Sequence, residues 1–195
     1  LILAHQLFNV SSLLMAVIAF VAFSLCASSV YLLNDLLDME SDRLHPEKRH
    51  RPIAAGELSI GQAMGLMLGL MASSGLLTGL ALPWACFATQ FAYFTMSTLY
   101  SVALKLEPLV DVIVLASLYS VRLFMGGQAA GVLVSEWLMA FSGFLFVSLA
   151  FVKRYTELTR LVREGRRRSK GRGYLVTDLS LVENFGMTSG YLAVA

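Results

Sequence analysis

Five stretches of about twenty apolar residues, each long enough to cross a hydrocarbon core of about 30 Å, govern what this chain can fold into. They run from Ser11 to Leu33, Ile60 to Leu82, Pro83 to Leu104, Leu109 to Gly127 and Trp137 to Val152. Shorter apolar stretches stand at both ends: Leu1 to Phe8 reads as the tail of one helix, and Leu179 to Ala195 as the beginning of another. Only 14% of the residues are charged, against about 25% in soluble domains. The chain therefore reads as an integral membrane protein. Lipid leaves no partner for unpaired backbone groups, so the spans should be helices. The expected fold class is all-α, a polytopic helical bundle forming a single transmembrane domain over 1–195, with partial spans at both ends suggesting truncation.

The basic residues orient that bundle. Of fifteen Lys and Arg, all but Arg122 fall in 43–51, at 105, or in 153–172. The connections near Leu82–Pro83 and Gly126–Glu136 carry none. The positive-inside rule then places 34–58, 105–108 and 153–177 in the cytoplasm, with the protein in the cytoplasmic membrane. No secretory leader pattern is visible at Leu1. Cys26 and Cys86 lie inside spans and read as packing residues. The Gly61, Gly65, Gly69 series, continued by Ser73 or Gly75, suggests close helix packing.

Chemistry concentrates where the first full span ends. Asn34, Asp35, Asp38 and Asp42 follow one another there. On a helix they would lie at roughly 0°, 100°, 40° and 80°, on one narrow face. Like charges so arranged repel unless a cation sits among them. Hard oxygen ligands suit Mg²⁺, which is commonly shared with substrate phosphates. The four are metal-ligand candidates, and the three aspartates are catalytic candidates.

Lys48, Arg49 and Arg51 follow at once, between Pro46 and Pro52, which prevent one continuous helix. They suit either a cytoplasmic anchor or phosphate oxygens, which Arg can hold in bidentate fashion. Tyr100 and Lys105 end another span on the same side, with the same two readings. Arg122 and Asp111 share a span, about 16 Å apart along the axis, too far for a direct pair. An ionisable residue at such depth points to a substrate cavity. Lys153, Arg154, Tyr155 and Glu157 open the last basic loop close to a span and are site candidates, Lys153 and Arg154 for substrate phosphate. Arg163 to Arg172 suit anionic lipid headgroups or phosphate. Asp178 and Glu183 offer a second acidic contribution. His5, His45 and His50 show no ligand pairing.

The string Asn34-Asp35-x-x-Asp38-x-x-x-Asp42, followed by Lys48-Arg49-His50-Arg51-Pro52-Ile53-Ala54-Ala55-Gly56, resembles the first aspartate-rich motif of the UbiA prenyltransferase superfamily. The resemblance extends over essentially the whole chain. It implies a helical bundle around a central cavity, with Mg²⁺ held by aspartates at a cytoplasmic mouth. It also implies transfer of a group from a diphosphate donor to an isoprenoid or other lipophilic acceptor in the bilayer. The second DxxxD-type motif of most prenyl-transferring members is missing between 153 and 178. Lys153-Arg154-Tyr155-x-Glu157-Leu158 and the segment from Tyr100 through Lys105 to Asp111 are instead similar to the branch typified by decaprenyl-phosphate phosphoribosyltransferase. That branch implies phosphoribosyl diphosphate as donor and a polyprenyl phosphate as acceptor. The rival is a prenyl diphosphate donor with an aromatic or other lipophilic acceptor. No nucleic-acid partner is expected. A transporter lined by Asp111 and Arg122 is disfavoured, because transport does not call for four oxygen ligands at a helix exit.

Overall fold

The computed structural model describes residues 9–167 and 172–195. The expected helix tail Leu1–Phe8 lies outside those residues, as do His5, Arg168 and Lys170. Eight α-helices make up the described chain: α1 (Val10–Leu37), α2 (Met39–Arg43), α3 (Pro52–Ala55), α4 (Ile60–Ala81), α5 (Trp84–Val102), α6 (Val110–Ala130), α7 (Glu136–Arg163) and α8 (Leu179–Val194). Short 3₁₀ turns cover Lys48–His50, Leu104–Leu106 and Val176–Asp178. The all-helical expectation holds. By length and composition, α1, α4, α6 and α7 can cross a membrane.

The helix starts follow their capping chemistry. Asn9 accepts the Ser12 N–H, and Ser135 accepts the Leu138 N–H. Ser59 and Gln62 form a reciprocal capping box at the start of α4. Pro83 separates α4 from α5, and Pro52 occupies the first turn of α3, where a missing N–H costs nothing.

Some expectations change in the structure. The segment after Val152 was expected as a basic loop, yet α7 continues unbroken to Arg163. Lys153, Arg154, Tyr155 and Glu157 are therefore helical. The side chains at 154, 158 and 161 are buried, so an amphipathic pattern extends the helix beyond its purely apolar stretch. The glycine series on α4 does not mediate close packing among the described residues, since a Cβ at Gly61, Gly65 or Gly69 would meet nothing. The buried side of α4 is Ala63, Ser74 and Thr78. The Ser74 hydroxyl donates to the Ala22 carbonyl of α1 at 2.5 Å.

The chain divides into two compact units. The first holds the described residues to Ser101 together with Met125–Leu133. It packs α4 against α1, and Phe23 meets Tyr93 of α5 at 4.4 Å between ring centroids. A buried polar chain joins α4 to α5: Thr78 donates to Gln90 Oε1 at 2.6 Å, and Gln90 Nε2 donates to Ser74 at 2.8 Å. Inter-helix hydrogen bonds of this kind replace the hydrophobic drive that lipid removes. Helix α5, expected as a full span, is not among the described helices long and apolar enough to cross a membrane; its Gln90 and Ser101 side chains bond to neighbouring helices.

The second unit holds Val102–Phe124 and Val134–Ala195. Its core is Val112, Ala150, Phe151, Leu158, Leu161, Tyr174 and Val182. Helices α7 and α8 pack closely, with Phe151 stacked on Phe185 at 5.7 Å. The Ser148 hydroxyl donates to the Gly186 carbonyl at 2.8 Å.

Candidate active site

In the first unit, α1 stops at Leu37 and the backbone bends at Asp38 (φ −92°, ψ 3°) before α2 begins. Asn34 and Asp35 thus lie on α1, Asp38 at the bend and Asp42 on α2, rather than all four on one helix. Two i→i+4 bonds bridge the bend: Asp38 N–H to the Asn34 carbonyl at 2.9 Å, and Asp42 N–H to the Asp38 carbonyl at 2.8 Å. Helical repeat is therefore kept across the break, and the aspartates stay near one another.

Arg51 lies between two of them. Its Nη1 is 2.8 Å from Asp35 Oδ1 and 2.8 Å from Asp42 Oδ2. Lys48 Nζ lies 3.9 Å from Asp42 Oδ1. Asp42 is 2% exposed, so a charged partner is what permits its burial. Asp35 and Asp38 are half-buried. Asn34 turns its amide oxygen to the Ser101 hydroxyl at the end of α5.

The segment carrying Arg51 is fixed by its surroundings. Ile53 and Ala54 are buried, and Arg43 Nε donates to the Ala54 carbonyl at 3.2 Å. Gly56, at φ 82°, ends α3 in the left-handed region that side chains disfavour. Lys48 and Arg49 lie on the exposed 3₁₀ turn before it. Tyr100 is half-buried in α5, in the same unit.

The second unit carries a separate charged network. Arg154 is 1% exposed and Asp111 fully buried. Arg154 Nε lies 2.6 Å from Asp111 Oδ2, and its Nη1 donates to Glu157 Oε2 at 2.7 Å. Arg172 reaches the same two carboxylates, with Nη1 3.5 Å from Asp111 and Nε 3.4 Å from Glu157. The Tyr174 hydroxyl donates to Asp111 Oδ1 at 2.6 Å and accepts the Leu109 N–H at 2.8 Å. Two carboxylates thus balance two guanidiniums, with a phenol completing the set.

The remaining candidates are placed as follows. Lys153 is exposed on α7, and Tyr155 is half-buried beside the apolar core. Lys105 lies in the 3₁₀ turn before α6. Arg122, expected to line a substrate cavity, is exposed on α6 with its guanidinium 5.2 Å from the Tyr119 ring centre. Asp178 accepts the Leu175 N–H and so caps a turn.

Sequence reasoning did not single out Tyr174, Gly173 or Ser101. A Cβ on Gly173 would overlap the Leu106 carbonyl oxygen and lie 2.6 Å from Pro108 Cδ. Only glycine lets this strand of chain lie against the turn before α6. The signal available beforehand was slight: a Gly-Tyr pair after a basic run.

Hard oxygen donors are present in the right number for Mg²⁺. Among the described residues, however, no group of three or more His, Cys, Asp or Glu is gathered tightly enough to hold a metal. Asp35 and Asp42 instead converge on a guanidinium, a cation in the gap a metal would take. The donor set fits a cation, with Arg51 standing there.

Comparison with known proteins fixes the family. The model of the UbiA prenyltransferase family matches residues 1–169. A nodulation protein, NoeC, from Azorhizobium caulinodans is 40% identical, covering 91% of this chain and 57% of that protein. The decaprenyl-phosphate phosphoribosyltransferase of Corynebacterium glutamicum is 35% identical, covering 98% of this chain and 58% of that protein. Among solved structures, a UbiA homolog from Archaeoglobus fulgidus superposes with a TM-score of 0.70 at 17% identity, over 98% of this chain and 69% of that one. The chain is a member of the UbiA prenyltransferase family, with its helical membrane fold. It spans a little over half the length of the two curated relatives described.

Proposed function

We propose that the protein is a Mg²⁺-dependent transferase of the membrane, moving a group from a diphosphate donor to a polyprenyl phosphate, with phosphoribosyl diphosphate as the favoured donor. One observation carries the reading: Asp35 and Asp42 converge on a single cation at the end of a membrane-length helix. Lys48 stands beside them. Carboxylates that require a cation, next to basic groups able to take phosphate, suit a metal–diphosphate complex.

Asp35, Asp38 and Asp42, with the Asn34 amide oxygen, would hold Mg²⁺. The ion would supply neutralisation of charge on the departing diphosphate. Lys48, Arg49 and Arg51 would hold phosphate oxygens in the first unit. Lys105, Lys153 and Arg172 would be further candidates for phosphate oxygens, and Arg154 holds Asp111 and Glu157 in place. The acceptor's isoprenoid tail would lie along apolar helix faces. The positive-inside distribution supports a cytoplasmic mouth.

The donor preference rests on similarity to decaprenyl-phosphate phosphoribosyltransferase and on the missing second aspartate motif. The alternative is prenyl transfer from a prenyl diphosphate to an aromatic or other lipophilic acceptor, which the family at large supports. Substitution tests the site: Asp35→Ala and Asp38→Ala in the full-length protein should each abolish turnover while thermal unfolding stays cooperative. Retained turnover in both would refute it.

A further inference from the structure

We infer that Arg51 is a resident counter-ion of the Asp35–Asp42 pair, which a divalent cation has to displace, so that metal binding to the protein alone is held weak. This rests on the proposed metal–diphosphate reading and adds a control over when the metal enters.

The geometry makes the competition direct. One nitrogen, Arg51 Nη1, lies 2.8 Å from an oxygen of each carboxylate. A metal ligated by the same two oxygens would occupy that nitrogen's place. Two cations cannot share the gap without repulsion. Burial explains why the place is filled beforehand. The Asp42 side chain is 3% exposed, and a buried carboxylate without a cationic partner is strongly destabilising. Some cation must therefore accompany Asp42 at all times.

The geometry also lets Arg51 leave. Its side chain is 40% exposed, so it has a solvent route. Its backbone does not need to move: the Arg51 N–H donates to the Lys48 carbonyl at 2.9 Å, and Pro52 starts α3 directly after it. Only the side chain has to swing. A diphosphate arriving with the metal offers the guanidinium bidentate oxygens in exchange for the carboxylates it gives up. Metal and diphosphate then enter together, and bare metal gains little.

Mn²⁺ alone, without any phosphate compound, is the probe. Its binding to full-length protein in detergent is followed by the loss of the free-ion paramagnetic resonance signal. Arg51→Gln should bind Mn²⁺ about tenfold or more tightly than wild type, a difference equal to about 1.4 kcal/mol. Adding Asp42→Asn to Arg51→Gln should remove the gain. Should Arg51→Gln fail to fold, Arg51→Lys keeps the charge without the fork and should show a smaller gain. Equal or weaker binding by Arg51→Gln, with Asp35→Asn still abolishing it, would overturn the counter-ion role and leave the metal site standing. No Mn²⁺ binding by any variant would overturn the metal site as well.

Discussion

Arg154 Nε lies 2.6 Å from Asp111 Oδ2, with both side chains sealed from solvent and the two residues 43 positions apart in the chain. Neither charge is tolerable there alone. Replacing a buried ion pair with apolar groups can be neutral, but removing one partner typically costs about 3–5 kcal/mol. Arg154→Met should therefore lower thermal stability sharply, while Arg154→Met with Asp111→Leu should recover much of the loss. A double-mutant cycle on unfolding midpoints checks this. Additive losses would show that the pair is not coupled.

Tyr174 supplies the next prediction. Burial first, and then its hydrogen bond to Asp111, push its phenol above the ordinary range. An unfolded tyrosine ionises near pH 10. The folded protein keeps the proton there, so this group's contribution is whole below about pH 10 and is lost as pH rises further. Stability of wild type should fall with pH above 10 more steeply than that of Tyr174→Phe. Tyr174→Phe itself should cost about 1–3 kcal/mol at neutral pH, since Asp111 and the Leu109 N–H both lose a partner. Unfolding curves of both proteins between neutral pH and pH 11 would show it. Parallel curves would deny the ionisation a role.

Gly173→Ala isolates the contact on which that network depends. The added methyl would press on the Leu106 carbonyl and Pro108, and overpacking of this kind costs about 1–3 kcal/mol. Loss of stability should come with weaker protection of the Leu109 amide in hydrogen exchange. Gly143→Ala, whose Cβ would meet nothing, should leave both unchanged.

Much of this is legible in the sequence. Apolar stretches of membrane length announced an all-helical chain, since lipid leaves the backbone no other choice. Pro46, Pro52 and Pro83 marked breaks correctly. The aspartate motif was visible because helical geometry operates within one turn or two. What stayed hidden was partnership across distance. Nothing in the order of residues says that Arg51 lies between Asp35 and Asp42, or that Tyr174 meets Asp111. Hydropathy also misled after Val152, because a helix with buried residues at 154, 158 and 161 can carry many charges on its other side. Depth in a span pointed Arg122 to a substrate cavity, and which side of α6 it occupies is set by helix facing, which depth does not give.

Metal removal bears on the candidate site from another side. Chelation with EDTA should abolish transfer and leave the unfolding midpoint nearly unchanged, because Arg51 Nη1, 2.8 Å from Asp42 Oδ2, can neutralise that carboxylate without a metal. A large drop in stability on chelation would instead mean that the metal holds the site together.

The account turns most directly on the donor. Full-length protein in detergent, with Mg²⁺ and a polyprenyl phosphate, should release inorganic diphosphate from phosphoribosyl diphosphate and form a sugar-bearing lipid. Both should vanish when the lipid phosphate is omitted. Transfer from a prenyl diphosphate alone, with phosphoribosyl diphosphate left intact, would contradict it.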